Sequence, residues 1–551
     1  MNMKNFKNIA LSLVAGCGLA VTLAACADWD DHYVGTAGSE ESGASLWEQM
    51  KANPRLSDFC EVLEQTKVYR MHQKKPVSYA DLLSGGQAYT VMAPVNGTFN
   101  KDSLLQLVQT VVGDSSVERS FVQNHITRSL VSVNPASTRM LMLNLKRISM
   151  ENGFAGGVPV IVQNQRASNG VLHVVEKALP YNYNLYEMFC DNADLQEIGN
   201  RLRRFNEDIF VPEQSLQNGV IDGVPVYIDS VIYERNRLLD NIGLLRAEDS
   251  TYVVVAPTTE GWKAAWDEAS TYYNYEDTLT VRDSLQQFYA TRALLQDAVF
   301  NMTDQKSPND SLISVPYLRE NLSYKPGKHV YHVFNKPFAE GGILYGATPL
   351  ACSNGTIYAT DQWPFTPEDT YFKEIYIEGE STHLIADYKK CVYNSRQINA
   401  DSVSEGRYLR IDALNSSSTE NWDIEFQIDN TLSGTYDVYA IVLPKSVYNQ
   451  TSPDLRPCGF KATIYSLDQK GKKKSYTCKP AKGSEFVNNP ERIDTILLAQ
   501  GFKFDVCNYG QVGTRASIKL SSNINFTTMR TRTRELFLDC IYLKPRTSKS
   551  E

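Results

Sequence analysis

YTVMAPVNGTFN at residues 89–100 and YVVVAPTTEGWK at residues 252–263 are nearly the same phrase, written twice in one chain. In each copy an apolar run meets a proline, and a polar cluster follows. The run predicts a buried strand, and Pro94 and Pro257 predict its end because proline cannot donate to the sheet ladder. The phrase therefore predicts a structural element rather than a catalytic one.

The residues that follow each proline predict a helix. Asn96 and Thr259 can cap its first turn, because a side-chain oxygen accepts an otherwise unpaired backbone N–H there. Phe99 and Trp262 then lie one turn in, where they would anchor the helix on the core.

Further echoes show that the repeat is longer than one phrase. Two stretches open with a capping box, Ser45 with Glu48 and Asn184 with Glu187. Two Asn-Gly pairs precede closing strands, at residues 168–180 and 353–365, and both residues of such a pair tolerate positive φ. The offset between the copies grows along the chain, which places insertions between Arg204 and Ala247 and near Ser307. Insertions of this size belong in surface loops.

This arrangement resembles the fasciclin domain, over about residues 44–366. The first copy carries the family's features at residues 90–99, at Asn124 and His125, and at residues 169–176. The second copy departs from them, with Trp262 for the phenylalanine, Ala298 at the middle histidine and Tyr358 in place of His173. The resemblance implies two compact α/β domains, at residues 44–182 and 183–366, each a wedge of strands with helices packed on one side.

The same resemblance makes His125 and His173 candidate ligand-binding residues. Fasciclin domains commonly carry histidine at both places, and adhesive roles are associated with the neighbourhood of the middle one. The alternative is a core histidine that is hydrogen-bonded to the backbone.

The last third of the chain has a different sequence pattern, which is typical of short strands separated by polar turns. Strands at such intervals without helical periodicity predict an antiparallel β-sandwich of the jelly-roll kind at residues 370–546. The predicted fold class is therefore multidomain α+β: two fasciclin-like α/β domains and then the sandwich.

The sandwich is similar to galactose-binding-like folds, which include many carbohydrate-binding modules. The stretches that carry the likeness are residues 377–380, 434–439 and 538–543. It implies a structural calcium held by Glu378, Glu380 and Asp539, because hard cations prefer carboxylate oxygens; surface carboxylates are the alternative. Sugar binding would also need exposed aromatic rings. The candidates are Trp422, Tyr393 and Tyr408, and a core or rim position is the alternative for each.

The N-terminus predicts export. Residues 1–25 have a basic start and an apolar run and form a signal peptide. They lead into LAAC, whose Cys26 we expect to be lipidated; Cys17 is a rival cleavage site, and an ordinary secretory signal is the alternative. Residues 26–43 would be an acidic tether resembling the surface-export signal of Bacteroidetes lipoproteins. The expected location is the outer membrane, lipid-anchored and exposed at the cell surface.

Composition and missing motifs exclude some functions. The net charge of -8 argues against nucleic-acid binding, which needs a basic surface. The sequence has no G-x-S-x-G, P-loop, H-E-x-x-H or G-x-G-x-x-G motif, so we expect no enzyme, although a paired-carboxylate glycosidase leaves no local motif. No cysteine pair has C-x-x-C spacing, and buried free thiols are favoured over disulfides.

These observations favour a non-enzymatic outer-membrane lipoprotein for adhesion or for binding a glycan or a surface protein. It could serve a nutrient-uptake complex of the TonB-dependent kind. The alternative is a pure adhesion scaffold in which the sandwich is a spacer, and a glycan-degrading enzyme is less favoured.

Overall fold

The structure is a computed structural model with two compact units, which split between Tyr181 and Asn182 and are described separately. The signal peptide, Cys17, Cys26 and nearly all of the expected tether lie outside the described residues. No helix among the described residues is long and apolar enough to span a membrane. The described residues are 43–68, 77–133, 137–221, 224–302, 311–315, 317–318, 329–330, 332–400, 402–415, 419–448, 450–451 and 453–546.

Helices in the first unit begin where local capping signals predict. The Ser45 hydroxyl accepts the Glu48 N–H at 3.2 Å, and the Glu48 carboxylate accepts the Ser45 N–H at 2.7 Å, so the predicted capping box is confirmed. The helices are α1 Leu46–Ala52, α2 Ser57–Gln65, α3 Tyr79–Ser84, α4 Lys101–Leu107 and α5 Val111–Val117, with short turns of other helix types at Pro54–Leu56, Glu118–Val122 and Gln123–His125.

The strand from the opening phrase lies inside the main sheet of the first unit. All six of its residues are buried, and alternate side chains enter two different cores, Val91 on the helix side and Met92 on the other. A strand buried on both faces reads as a continuous apolar run, which explains the phrase. The strands are β1 Lys67–Val68, β2 Val77–Ser78, β3 Tyr89–Pro94, β4 Ile126–Thr127, β5 Thr138–Leu141, β6 Arg147–Glu151, β7 Phe154–Ala155, β8 Val158–Ala167 and β9 Gly170–Val175; β1 pairs with β2, and the other seven form a sheet in the order β4-β3-β9-β8-β7-β6-β5.

The second unit repeats this core arrangement. Its copy of the phrase is again a fully buried strand, and it again pairs in parallel with the closing strand of its own repeat. Tyr89 lies opposite Gly170 in the first unit, and Tyr252 lies opposite Gly355 in the second, so the register is also the same. This identity of register confirms that the two phrases build the same element.

Residues inserted in the second copy include a long hairpin of two strands, β10 Asn206–Ile221 and β11 Val224–Asn236, at the place between Arg204 and Ala247 that the sequence predicts. Asn184 and Glu187 form the second predicted capping box. The helices of the second unit are α6 Leu185–Asp191, α7 Gln196–Arg203, α8 Leu239–Ile242, α9 Thr259–Tyr272 and α10 Arg282–Gln296. The strands before the sandwich are β10 Asn206–Ile221, β11 Val224–Asn236, β12 Tyr252–Pro257, β13 Val299–Asn301, β14 Ser311–Ile313, β15 Tyr317–Leu318, β16 His329–Val330, β17 Val333–Asn335, β18 Thr348–Cys352 and β19 Gly355–Thr360.

The predicted caps after the prolines are wrong. The amide of Asn96 reaches back to α2, where it accepts the Asp58 N–H at 3.0 Å, and the helix that follows is capped by Asn100. The Thr259 hydroxyl donates to the Asp194 carbonyl at 3.1 Å. These side chains tie together segments that are distant in sequence, which local spacing does not show.

Residues after 370 form an antiparallel β-sandwich, as predicted. Its strands are β20 Ile375–Glu378, β21 Ile385–Lys389, β22 Cys391–Gln397, β23 Arg407–Ala413, β24 Asp423–Gln427, β25 Thr435–Val442, β26 Gly459–Leu467, β27 Lys473–Thr477, β28 Phe486–Val487, β29 Asp494–Lys503, β30 Ser517–Ser522 and β31 Leu536–Pro545. One sheet has the order β22-β23-β31-β25-β29 with β20 also on β31, and the other has the order β21-β24-β30-β26-β27 with β28 on β26. Short 3₁₀ turns lie in this part of the chain at Thr382–Leu384, Ser404–Gly406, Lys445–Val447 and Thr528–Arg530, and another lies between α6 and α7 at Ala193–Leu195.

The sandwich and the second repeat share one core. A single buried apolar cluster runs from Leu185 to Leu543. The segment after α9 enters the sandwich: the Tyr275 hydroxyl donates to the Tyr509 carbonyl at 3.0 Å, and the buried carboxylate of Glu276 forms an ion pair with partly exposed Arg515. Residues 183–366 and 370–546 therefore meet through buried side chains rather than through a linker.

Candidate functional sites

His125 is a core residue with both ring nitrogens engaged. Its ring is fully buried, Nδ1 lies 2.7 Å from the Phe121 carbonyl, and Nε2 accepts the Leu179 N–H at 2.9 Å. Because Nε2 accepts, Nδ1 carries the proton, and the ring is neutral. Burial lowers the pKa of His125 to about 4, against the opposing effect of the Phe121 carbonyl.

His173 has the same character on the neighbouring strand β9. Its ring is also fully buried, with Nδ1 accepting the Asn164 N–H at 3.2 Å and Nε2 lying 2.9 Å from the Val131 carbonyl. Burial lowers its pKa. Neither histidine presents a ring nitrogen to solvent, so the arrangement matches the core-histidine alternative given above.

In the second repeat alanine and tyrosine take the place of the two histidines. Ala298 is fully buried, and Tyr358 packs its ring against Phe338 at a centroid distance of 5.2 Å. Tyr358 lies opposite Val255 just as His173 lies opposite Met92. Replacement by side chains that pack without these hydrogen bonds is consistent with a structural role for the histidines.

The asparagine of each Asn-Gly pair organises its repeat, a role that sequence reasoning missed. The Asn169 amide accepts the Leu46 N–H at the start of α1 (2.7 Å) and donates to the carbonyls of Leu83 (2.8 Å) and Gly85 (2.7 Å). Asn354 does the same with Leu185, Leu245 and Ala247, each at 2.9 Å. The recurrence of S-N-G at the same place in both copies was the signal for it.

The sequence predicts positive φ at both residues of each Asn-Gly pair, and this prediction is correct only for the glycines. Gly170 has φ +150° and Gly355 has φ +154°, whereas neither asparagine has positive φ. A Cβ on Gly170 would lie 1.9 Å from the Tyr89 carbonyl oxygen, and one on Gly355 would lie 2.0 Å from that of Tyr252. Close approach of two strands therefore requires the glycine.

Two of the three aromatic candidates for sugar binding lie in the interior of the sandwich. Trp422 is fully buried, and its indole N–H donates to the Arg534 carbonyl at 2.7 Å. Tyr408 is 2% exposed and packs against Phe537. Tyr393 is half-buried on strand β22, where its ring meets that of exposed Tyr388 at 5.0 Å. Of the three, only Tyr393 is at the rim.

The structure brings the three carboxylates of the expected calcium site to one end of β20 and β31, all of them buried. Ser404 links two of them: its hydroxyl donates to Glu378 at 2.8 Å and its N–H to Asp539 at 3.1 Å. Neither buried carboxylate oxygen of Glu380 has a hydrogen-bond partner among the described residues.

The electrostatics of this group follow from burial. Desolvation, with the charge of Glu378 as the next contribution, raises the pKa of Asp539 to about 7. Desolvation also raises the pKa of Glu380. Within the described ranges no group of three or more His, Cys, Asp and Glu side chains is arranged to hold a metal ion as it stands. The chemistry of the donors nevertheless fits a hard cation, which prefers carboxylate oxygens and would relieve their mutual repulsion.

Cysteine chemistry offers no further site in the described residues. Seven of the eight cysteines there are buried free thiols, and the eighth, Cys352, is partly exposed. Burial raises the pKa of Cys60 to about 11 and that of Cys458 to about 12, so these thiols are not the activated kind.

Residues 54–181 match the family model of the fasciclin domain. The first unit therefore contains a fasciclin domain, in agreement with the signals at the opening phrase, at His125 and at the closing strand. No curated protein matches the chain.

Several solved structures are similar in part. One is a pair of fasciclin domains from the insect cell adhesion molecule fasciclin I, with 14% identity, 51% of this chain and 90% of that chain covered, and a TM-score of 0.17. Another is a Clostridium thermocellum endo-1,4-β-D-xylanase with a family 22 carbohydrate-binding module, complexed with xylohexaose, with 9% identity, coverage of 31% and 27% and a TM-score of 0.20. A third is a family 35 carbohydrate-binding module from the same organism, with 10% identity, coverage of 32% and 99% and a TM-score of 0.17. The match thus spans about a quarter of the xylanase chain.

Proposed function

We propose that this protein is a non-enzymatic lipoprotein of the outer membrane that binds a glycan or a protein ligand at the cell surface. The observation that carries the proposal is the fasciclin domain at residues 54–181, joined to a second repeat and a β-sandwich. Fasciclin domains are an adhesion type of module, and the sandwich offers a separate surface for ligand.

The buried polar residues of the two repeats support binding rather than catalysis. Asn169 and Asn354 hold helix starts and loop carbonyls, and His125 and His173 are neutral and buried. These side chains stabilise the scaffold, so the ligand would be recognised by surfaces that differ between the repeats.

Binding is tested by a glycan array and a surface-protein array probed with the mature chain. We expect retention on at least one class of glycan or protein. Retention on neither would contradict the proposal. If whole cells nevertheless aggregate through this protein, the pure adhesion scaffold is the better description.

The absence of enzymatic activity is tested separately. The mature chain is incubated with polysaccharides, and reducing ends are measured over time. We expect no release of sugar above a heat-inactivated control, and sustained release would overturn the non-enzymatic assignment.

Anchoring rests on the sequence LAAC at residues 23–26. Cys26→Ala should release the protein from the outer-membrane fraction and abolish labelling with a radioactive fatty acid, whereas Cys17→Ala should leave both unchanged. Membrane attachment of Cys26→Ala would count against this anchor. A role beside a nutrient transporter is tested by co-purification with a TonB-dependent receptor from detergent extracts.

Calcium is part of the proposal, with Glu378, Glu380 and Asp539 as its holders. An ion there would supply positive charge to a buried acidic group and stabilise the sandwich. Since the folded-state pKa of Asp539 is raised to about 7, the folded protein binds a proton that the unfolded chain releases near pH 4. In EDTA, stability of the sandwich should therefore fall as the pH rises from about 4 to about 7.

Calcium should remove that loss at pH 7 and above. The measurement is thermal unfolding of the mature chain from pH 5 to 8, with EDTA and with calcium, and Asp539→Asn should flatten the pH dependence in EDTA. An unfolding temperature that calcium leaves unchanged at pH 8 would contradict the calcium site.

A further inference from the structure

Three tyrosines form a row across the outer face of one sheet of the sandwich. Tyr376 lies opposite Tyr542, and Tyr542 lies opposite Tyr439. Neighbouring rings are nearly parallel, at 17° and 11°, with centroids 5.6 and 4.9 Å apart. Leu497, 40% exposed, continues the row on the next strand. The inward residues of the same strands fill the core, so nothing in the core requires this row.

The row ends in a cleft beside Tyr376. Its apolar lining residues are Pro545 and Phe372, of which Phe372 is almost wholly buried. The cleft has a volume of about 360 Å³, near the lower end of the range of small-ligand sites in proteins. Its rim carries two acids, Glu368 and Glu374, and two lysines, Lys373 and Lys544.

Tyr376 is held in place at the mouth of this cleft. One side of its ring stacks on Tyr542, and its hydroxyl donates to Glu374 at 2.5 Å. A ring fixed by packing and by a hydrogen bond loses little conformational freedom when a ligand binds. Such a ring is a preorganised apolar surface beside charged hydrogen-bonding groups.

Charge decides which ligand suits the cleft. Two acids and two lysines give a rim with no net charge, which favours neither a phosphate nor a uronate. Carboxylates accept hydrogen bonds and ammonium groups donate them. The hydroxyl groups of a ligand do both, so they suit this mixture of acids and lysines. A pyranose ring presents hydroxyls at its edge and an apolar face of C–H groups, which matches the apolar lining and the aromatic ring.

We propose that the cleft of Phe372, Tyr376 and Lys544 is the site at which the sandwich binds a neutral sugar unit of a glycan. This inference rests on the proposed function and names the ligand class and the surface. The residues differ from Trp422, Tyr393 and Tyr408, which the sequence favours.

The test uses the mature chain on an array of neutral, uronate-bearing and sulfated oligosaccharides, followed by titration calorimetry with the best neutral ligand. Tyr376→Ala and Lys544→Glu are the test variants. Tyr345→Ala is the matched control, because Tyr345 is 62% exposed and lies outside the sandwich. Lys544 is exposed, so its variant keeps the site testable should Tyr376→Ala fail to fold, which circular dichroism checks.

We expect each test variant to weaken neutral-glycan binding about ten-fold or more, and Tyr345→Ala to leave it unchanged. If the wild-type chain binds neutral glycans and both variants bind as well, the site is wrong and the proposed function stands. Binding of acidic glycans only, or of peptides only, overturns the ligand class. If the wild-type chain binds no glycan, this inference fails with the glycan part of the proposed function.

Discussion

Several polar residues that stand out in the sequence are buried in this protein and form hydrogen bonds with the backbone. The sequence makes His125 a candidate ligand-binding residue and Asn169 part of a turn. In the structure both side chains form hydrogen bonds with backbone groups. A buried N–H or carbonyl without a partner is costly, so a side chain that pairs with several of them stabilises the fold strongly.

His125 makes the first unit sensitive to acid. Its pKa falls from an ordinary 6.5 to about 4 on folding, so between these values the unfolded chain binds a proton that the folded chain does not. Stability is therefore full above about pH 6.5 and falls as the pH drops to about 4, by about 1.4 kcal/mol per pH unit and about 3 kcal/mol in total. The lowered pKa of His173 acts in the same direction.

The measurement is urea unfolding at several pH values, with hydrogen-exchange mass spectrometry to report on the unfolding of the first unit. His125→Gln keeps a donor and an acceptor but removes the titrating ring, and it should flatten the slope. A slope as steep as that of the wild type would show that His125 is not its source.

Asn169→Ala should destabilise the first unit by about 3 kcal/mol, because it leaves one buried N–H and two carbonyls without their partner. Gln106→Ala, on an exposed face of α4, is the control and should change stability by less than about 0.5 kcal/mol. Chemical denaturation measures both. Equal stabilities would mean that water replaces the amide.

At the scale of elements, the repeated phrase predicts its own structure well. β3 and β12 are buried strands that end at Pro94 and Pro257, because an apolar run followed by a proline determines both properties locally. The caps were missed because Asn96 pairs with Asp58, which is remote in sequence. Trp422 and Tyr393 could not be ranked from sequence, since inward and outward positions depend on how the two sheets pack.

Gly170→Ala should disrupt the parallel pairing of β3 and β9. A methyl group there would overlap the Tyr89 carbonyl oxygen, and neither strand can move without opening the core. We expect a loss of about 3 kcal/mol or more, or no folding of the first unit. Gly86→Ala is the control, since its Cβ meets nothing within 4 Å. A normal unfolding midpoint for Gly170→Ala would rule out this close approach.

At the scale of the whole molecule, domains that look separate in sequence are joined in different ways. The fasciclin domain forms a unit by itself, whereas the second repeat and the sandwich form one unit with a common core. Residues 273–277 form much of the junction between the second repeat and the sandwich. Tyr275 donates to the Tyr509 carbonyl, and Glu276 pairs with Arg515.

A fragment of residues 182–546 should therefore unfold in one cooperative transition. A fragment of residues 367–546 should be less stable by at least about 3 kcal/mol, because Arg515 loses Glu276 and apolar surface is uncovered. Calorimetry of both fragments is the measurement. Equal unfolding temperatures would mean that the sandwich is independent and that the shared core contributes little.

The sequence by itself determined the repeat, the buried strands, the capping boxes and the class of the C-terminal fold, because each is recognised from short local patterns of apolar, capping and turn residues. Only the tertiary structure decided that His125, His173 and Trp422 are interior, that Asn169 and Asn354 tie helix to loop, and that three tyrosines align beside a cleft. These properties arise where distant segments meet, and burial and register, which set them, are consequences of packing rather than of local pattern.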